Sequence, residues 1–306
     1  SPDIEIPPAP VLSLVEALRT FALPPHFRIE TVASEPLVRD PVMMVFDARG
    51  RLWVAELAAY NISEIKEKLP FYLEKGRPAP DRPPGRVIVL EDTDGDGRMD
   101  KRTVYADNLD VPRAIGFYKD QVLIGDPPHL WITRDRDGDG VMDEKTSLDD
   151  EFGTQANVEG SPNGLLWGHD NWLYNASYKW RWRPDANDEW QREPIPSVGQ
   201  WGLTQDDFGR RFHSSNSDQL RGDFIPSHFA GAIDQRLPLH GVRHPVATDQ
   251  STWPIRPNTG VNRGYMAGQL KDDGTLNTFT AASAPLIYRG TNLPPTFVGN
   301  AFVPGP

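Results

Sequence analysis

The chain has no cysteine among its 306 residues, so disulfides, thiolate metal sites and a covalently attached c-type haem are excluded within it. Long apolar runs are missing too. Nothing approaches the ~20 residues that span a bilayer, and the opening Ser1-Pro2-Asp3 lacks the basic and apolar regions of a signal peptide. The expectation is a soluble, already processed chain with no transmembrane segment. Positive charge is in short supply: 32 Lys and Arg stand against 43 Asp and Glu, and the formal net charge of -11 repels phosphate backbones and anionic lipid surfaces. Nucleic acid is not an expected partner. Helical periodicity is absent over most of the length after the first 25 residues.

What the chain does have is turn chemistry and aromatics. Thirty Pro, 26 Gly and 9 Trp, with 38% hydrophobic residues, suit short strands joined by turns rather than a helical bundle. The first 25 residues read as a Pro-rich lead (Pro7, Pro8, Pro10) and one short helix. Ser13 and Glu16 there have the spacing of a capping box, and Pro24 and Pro25 end the helix.

From residue 26 onward a unit repeats. Pro41 to Val54 reads as an apolar strand, a tight turn at Gly50 and a second strand. Pro162 to Tyr174 and Gly199 to Phe212 follow the same grammar, and Pro112 to Ile124 is a looser copy. Self-similar hairpins at uneven spacing predict an all-β chain, a six-bladed β-propeller with insertions; a β-sandwich with similar hairpins is the alternative. The domain expectation is therefore a lead over residues 1–25 and a propeller over 26–306, cut mid-element at its C-terminal end. The charged, then Pro-rich segment from Glu64 to Pro84 reads as a surface excursion between blades.

Two aspartate-rich loops stand out. Asp92 to Thr103 and Asp135 to Thr146 carry the same residue at eight of twelve positions. Carboxylates at loop positions 1, 3, 5 and 9 (Asp92, Asp94, Asp96, Asp100; Asp135, Asp137, Asp139, Asp143) supply hard oxygen ligands for a cation. Gly at position 6 permits the sharp turn, and the position-7 carbonyls of Arg98 and Val141 complete a set like the first part of an EF-hand loop. Thr replaces the bidentate Glu at position 12, and strands rather than helices flank both loops. The expected sites are calcium clamps on hairpins. The competing reading, that Asp-Gly pairs simply favour turns, accounts for one pair but not for four aspartates in register twice.

The strings Phe21 to Glu30, Asp47 to Glu56, Leu90 to Gly97, Asn163 to Tyr174, Gly260 to Tyr265 and Pro285 to Gly290 occur in that order between about Leu12 and Val303. Together they resemble the membrane-bound dehydrogenase family found mainly in planctomycetes, verrucomicrobia and their relatives, which is similar to the soluble quinoprotein glucose and sorbosone dehydrogenases. The resemblance implies a six-bladed propeller exported to the periplasm or cell exterior. It also implies oxidation of a sugar or alcohol with pyrroloquinoline quinone, and a c-type cytochrome or larger membrane-associated assembly as partner. In such enzymes a His three residues before the Asn-Gly-Leu strand is the general base. Here that position is Gly160, which cannot take a proton, and Glu159 beside it is the substitute candidate. This departure favours a second expectation, a non-catalytic calcium-stabilised propeller that serves as a structural or docking subunit.

For an anionic cofactor or sugar hydroxyls the candidate contacts are Asn216 and Arg221, in a polar run from His213 to Arg221 read as a loop at the channel mouth. Arg113 and Arg263, at strand entries, join them. His169 is expected in a solvent-facing turn, and Pro238 and Pro245 argue against a metal-binding helix carrying His240 and His244. Trp180 and Trp182 fall on one face of a strand, either as a sugar platform or as packing between blades.

Overall fold

The computed structural model describes residues 8, 10–57, 84–154, 160–197, 199–230, 240–254, 257–258, 260–261 and 263–305. Residues 64–83 of the expected excursion, and Glu159, lie outside the described residues. The chain falls into two compact units, Pro7–Asp150 and Glu151–Pro306.

The first unit opens with helix α1 (Leu14–Arg19). Its cap is the expected box: Ser13 N donates to Glu16 Oε2 at 2.8 Å, and Glu16 N donates to Ser13 Oγ at 3.4 Å. Two four-stranded antiparallel sheets follow. The first joins β1 (Pro41–Phe46), β2 (Leu52–Glu56), β3 (Gly85–Glu91) and β4 (Lys101–Leu109) in that order. The second joins β5 (Ala114–Tyr118), β6 (Gln121–Asp126), β7 (His129–Arg134) and β8 (Glu144–Asp149). Local chemistry sets the first hairpin. Asp47 accepts from the Arg49 and Arg51 amides at 2.9 and 3.0 Å and from the Trp53 indole at 3.0 Å, while Gly50 takes the left-handed turn position at φ 79°.

Alternation along these strands builds two apolar layers. Trp53, Ala55, Val87 and Val89 of the first sheet meet Ile115, Val122 and Ile124 of the second in one buried cluster, closed by Tyr105, Phe117 and Trp131. The Trp53 ring makes edge contacts with Tyr105 at 4.8 Å and Phe117 at 5.2 Å. On the opposite face of the first sheet, Leu52, Val54, Ile88 and Leu90 are covered by Ala33, Leu37, Val38 and Met99. One further tie crosses between the sheets. Thr133 Oγ1 donates to the Val122 carbonyl at 2.8 Å, so the buried 3.0 Å contact between Tyr105 and Thr133 has the tyrosine hydroxyl as donor.

The second unit repeats the architecture. β9 (Asn163–Trp167), β10 (Leu173–Ala176), β11 (Trp180–Pro184) and β12 (Trp190–Pro194) form one meander; β13 (Leu203–Gln205), β14 (Arg211–Ser215), β15 (Asp218–Asp223) and β16 (His244–Pro245) form the next. A single helical turn, Ser227–Ala230, and a two-stranded sheet of β17 (Leu286–Ile287) and β18 (Ala301–Phe302) follow. Four-stranded antiparallel meanders with sequential strands as neighbours are propeller blades. The all-β propeller expectation holds, and α1 is its short N-terminal helix.

Two local expectations need correction. The run from His213 to Arg221 is a tight hairpin, because Ser215 pairs with Asp218; only Asn216 and Ser217 lie between the strands. Arg263 is not at a strand entry but in a turn, with φ 62°, and its carbonyl accepts from Met266 N at 2.8 Å. Trp182 is 1% exposed and stacks on Tyr178 at 5.7 Å beside Phe152, in keeping with the packing reading of the Trp180–Trp182 face. His169 is exposed in its turn, as expected, and His244 lies on the short extended strand β16.

Replacing Trp53 by Ala removes the ring on which both apolar sheets of the first unit converge. The expected cost is about 3–5 kcal/mol in urea denaturation, with the midpoint lowered and the slope retained.

Candidate metal centres

Each aspartate loop connects the third and fourth strands of its sheet, and the two share one hydrogen-bond plan. Position 1 accepts the amides of positions 4 and 6. Asp92 takes the Gly95 and Gly97 amides at 2.8 and 2.9 Å, and Asp135 takes those of Gly138 and Gly140 at 2.7 and 2.9 Å. The position-5 carboxylates turn to the backbone two residues on: Asp96 accepts from Arg98 N and Asp139 from Val141 N, both at 2.8 Å. The position-9 carboxylates close the loop by accepting the position-2 amide, Thr93 N to Asp100 at 3.2 Å and Arg136 N to Asp143 at 2.7 Å. The amides of Asp100 and Asp143 return to the carbonyls just before each loop, Glu91 and Arg134, at 2.9 and 2.8 Å.

This frame gathers carboxylate oxygens of Asp92, Asp94 and Asp100 within 4.8 Å of one another, and does the same for Asp135, Asp137 and Asp143. The donor set is all hard oxygen, as a calcium or magnesium ion requires. Asp96 and Asp139, equally expected as ligands, are not in these triads. The Gly97 amide, above other causes, and the other loop amides hold the Asp92 carboxyl below its usual range, so the loop favours the ionised form. Ion pairs brace the loop bases: Lys101 to Glu91 at 2.7 Å in the first, Arg136 to Glu144 at 2.8 Å in the second.

Position 8 is the feature that sequence reasoning passed over. Met99 N donates to the Val32 carbonyl at 2.8 Å and its side chain packs against the cluster of Ile88 and Leu90. Met142 N donates to the Tyr105 carbonyl at 2.9 Å, and its side chain packs against the cluster of Trp53 and Ile115. Each loop thus grips the element that precedes its own sheet. Methionine at position 8 in both loops was the available signal.

The other expected site residues sit on separate elements of the two units. Arg113 is 6% exposed just before β5, with its amide on the Gly125 carbonyl at 2.9 Å. Asn216 sits in the β14–β15 turn and takes the Gln200 side chain on its amide at 3.1 Å. Arg221 is engaged by Asp218 at 2.6 Å and by the Arg243 carbonyl at 2.8 Å, so its charge is matched within the hairpin. Gly160 is exposed and offers no side chain.

A buried polar cluster in the second unit was not foreseen. The Arg181 side chain, 4% exposed, reaches Asp170 at 3.1 Å and also bonds Glu193, the Tyr174 hydroxyl and, at 3.3 Å, His228 Nδ1. The Arg211 guanidinium lies 3.9 Å over the Tyr174 ring. Burial first, with Asp170 assisting, pushes the Tyr174 hydroxyl up to about 12. Arg181 and Arg183 also lie over the Trp172 ring at 4.3 and 4.5 Å, which accounts for the alternating aromatic and basic sequence.

The fold and loops define an all-β protein of propeller-type blades with two acidic hairpin clamps. The chain belongs to the family described as a domain of unknown function (DUF7133), whose model matches residues 13–306. No curated protein matches its sequence. Among solved structures it is similar to the PQQ domain of pyranose dehydrogenase from Coprinopsis cinerea, at 11% identity and TM-score 0.40 over 65% of this chain and 49% of that one. It is also similar to a calcium structure of a Trichoderma reesei carbohydrate-active enzyme of family AA12 (9%, 0.36, 63% and 53%). A third is virginiamycin B lyase from Staphylococcus aureus (12%, 0.34, 60% and 52%). The chain spans about half the length of each.

Gly97 and Gly140 occupy position 6 at φ 88° and 90°, but a Cβ at Gly97 would meet nothing within 4 Å while one at Gly140 would lie 3.2 Å from the Thr103 methyl. Both Gly→Ala variants are expected to lose roughly 1–2 kcal/mol in urea denaturation from the left-handed backbone. Gly140→Ala should lose more, by the cost of displacing Thr103.

Proposed function

We propose that the two loops bind calcium and that the chain is a calcium-clamped propeller acting as a structural or docking module of a larger assembly outside the cytoplasm. The observation that carries this is the duplication: two separate loops bring the same three carboxylates together and seat a methionine on the preceding element. Carboxylates held that close repel one another unless a cation sits among them. Bound calcium would draw positions 1, 3 and 9 together, with the Arg98 and Val141 carbonyls as further oxygen donors and water filling the rest of the shell. Its effect is mechanical. It fixes the loop, and the loop holds its sheet against the element before it.

The sequence resemblance supports export and membrane association through partners such as a c-type cytochrome. The same resemblance suggests a sugar or alcohol dehydrogenase using pyrroloquinoline quinone, with Glu159, Arg113, Asn216, Arg221 and Arg263 as its site residues. Two observations weigh against that activity in this chain: Gly160 occupies the position of the base, and Arg221 is matched by Asp218.

Calcium is expected to raise the melting temperature and EDTA to reverse the rise; at free calcium about 100 times Kd each site contributes roughly 2.7 kcal/mol. Asp100→Ala and Asp143→Ala should each remove part of the shift and the double variant all of it. An unchanged melting temperature in EDTA counts against the clamps. Reconstitution with pyrroloquinoline quinone and calcium should give no dye reduction with a panel of aldoses; turnover would restore the dehydrogenase reading.

A further inference from the structure

A short segment, residues 199–202, runs from the β9–β12 sheet to the β13–β16 sheet and is held from both sides. From the first sheet, Asn163 Nδ2 donates to the Gln200 carbonyl at 2.7 Å, Asn163 Oδ1 accepts from Gly202 N at 2.6 Å, and Ser177 Oγ donates to the Gly199 carbonyl at 3.2 Å. From the second, Gln200 N donates to the Ser214 carbonyl at 2.9 Å and Asn216 N to Gln200 Oε1 at 3.1 Å. Beneath this strap lies His213. A Cβ at Gly199, whose φ is 67°, would come within 2.9 Å of the His213 Cβ, so the strap rests directly on that side chain.

His213 is 2% exposed, and neither ring nitrogen has a hydrogen-bond partner among the described residues. It faces a cationic surround. Arg211 shares its face of β14; Arg221 and Asp223 lie opposite on β15, paired with His213 and Arg211 respectively. Arg243, ahead of β16, donates its amide to Asp223 at 2.9 Å and its guanidinium to the Ser197 carbonyl at the root of the strap. Asp223 meets Arg211 at 3.4 Å and Asp218 is taken by Arg221. Three arginines therefore face two aspartates around the imidazole, and the strap and β13 contribute no titratable group.

We infer that the 199–202 strap is an acid-released cover: it stays seated while His213 is neutral and lifts when His213 takes a proton. The second ring N–H that protonation adds has no acceptor among the described residues, and its charge joins three guanidinium groups, whereas lifting the strap admits water to it. Burial, ahead of the neighbouring charges, lowers His213 from 6.5 to about 4. The sign follows. The open state binds a proton near 6.5 that the closed state refuses until about 4, so closure is complete above 6.5 and weakens as pH falls through that window. Release also breaks the bond from the Asn216 amide to Gln200.

Hydrogen exchange at the Gln200 and Gly202 amides tests this in the intact chain. After correction for intrinsic rates, their protection is expected to fall roughly tenfold per pH unit below about 6.5, relative to core amides of the 7–150 unit. His213→Met, which does not titrate, should abolish that dependence; if it fails to fold, His213→Gln serves the same purpose. A total loss below about tenfold across the window, or the same loss in the variant, overturns the proposal. So does an imidazole that titrates near 6.5 in the folded protein by NMR.

Discussion

Two backbone hydrogen bonds, from Met99 to the Val32 carbonyl and from Met142 to the Tyr105 carbonyl, organise the first unit. A blade is a flat meander whose two faces must both be covered, and covering them depends on fixing each sheet against what precedes it. The loops do this with main-chain groups, which are obligatory donors and acceptors, and reinforce it with a methionine, a flexible apolar side chain suited to irregular gaps. Apolar packing supplies most of the driving force, since Trp53, Val87, Ile115 and Ile124 are nearly or fully buried. The direction comes from the loops.

The second unit solves the same problem by other means. Its neighbouring sheets meet through the Arg211 guanidinium stacked on Tyr174 and through the strap anchored by Asn163, rather than through acidic loops. Polar packing of this kind leaves ionisable groups with little access to water, of which Tyr174 and His213 are the clearest cases.

Much of this was legible in the sequence. The Ser13–Glu16 box, the turn at Gly50 and the strands around both aspartate loops are local features, and local spacing specifies them. The carboxylates on which the calcium proposal rests also stood out, by their repetition in register. Contacts between residues far apart in the chain were not legible: nothing near Met142 in sequence points to Tyr105, and nothing near Arg181 points to His228. The polar run after Phe212 misled because His213 and Arg221 read as surface residues, whereas cross-strand pairing places them opposite one another inside a hairpin. Asp96 and Asp139 have the sequence spacing of ligands but lie outside the two carboxylate triads.

The position-8 bond has a consequence for how such a chain changes over time. Because each acidic turn holds a carbonyl that lies earlier in the chain, its length is constrained by a neighbour as well as by its own hairpin. A residue inserted between Asp135 and Asp143 would unseat the edge of β4, a strand that ends 26 positions before Asp135. Lengthening the turn at Asp185 to Glu189, where the Asp185, Asn187, Asp188 and Glu189 amides all bond to Asp185 or Glu189, would remain a local event. Insertions should therefore accumulate at plain turns and be purged from the acidic ones, giving the blades unequal freedom to vary.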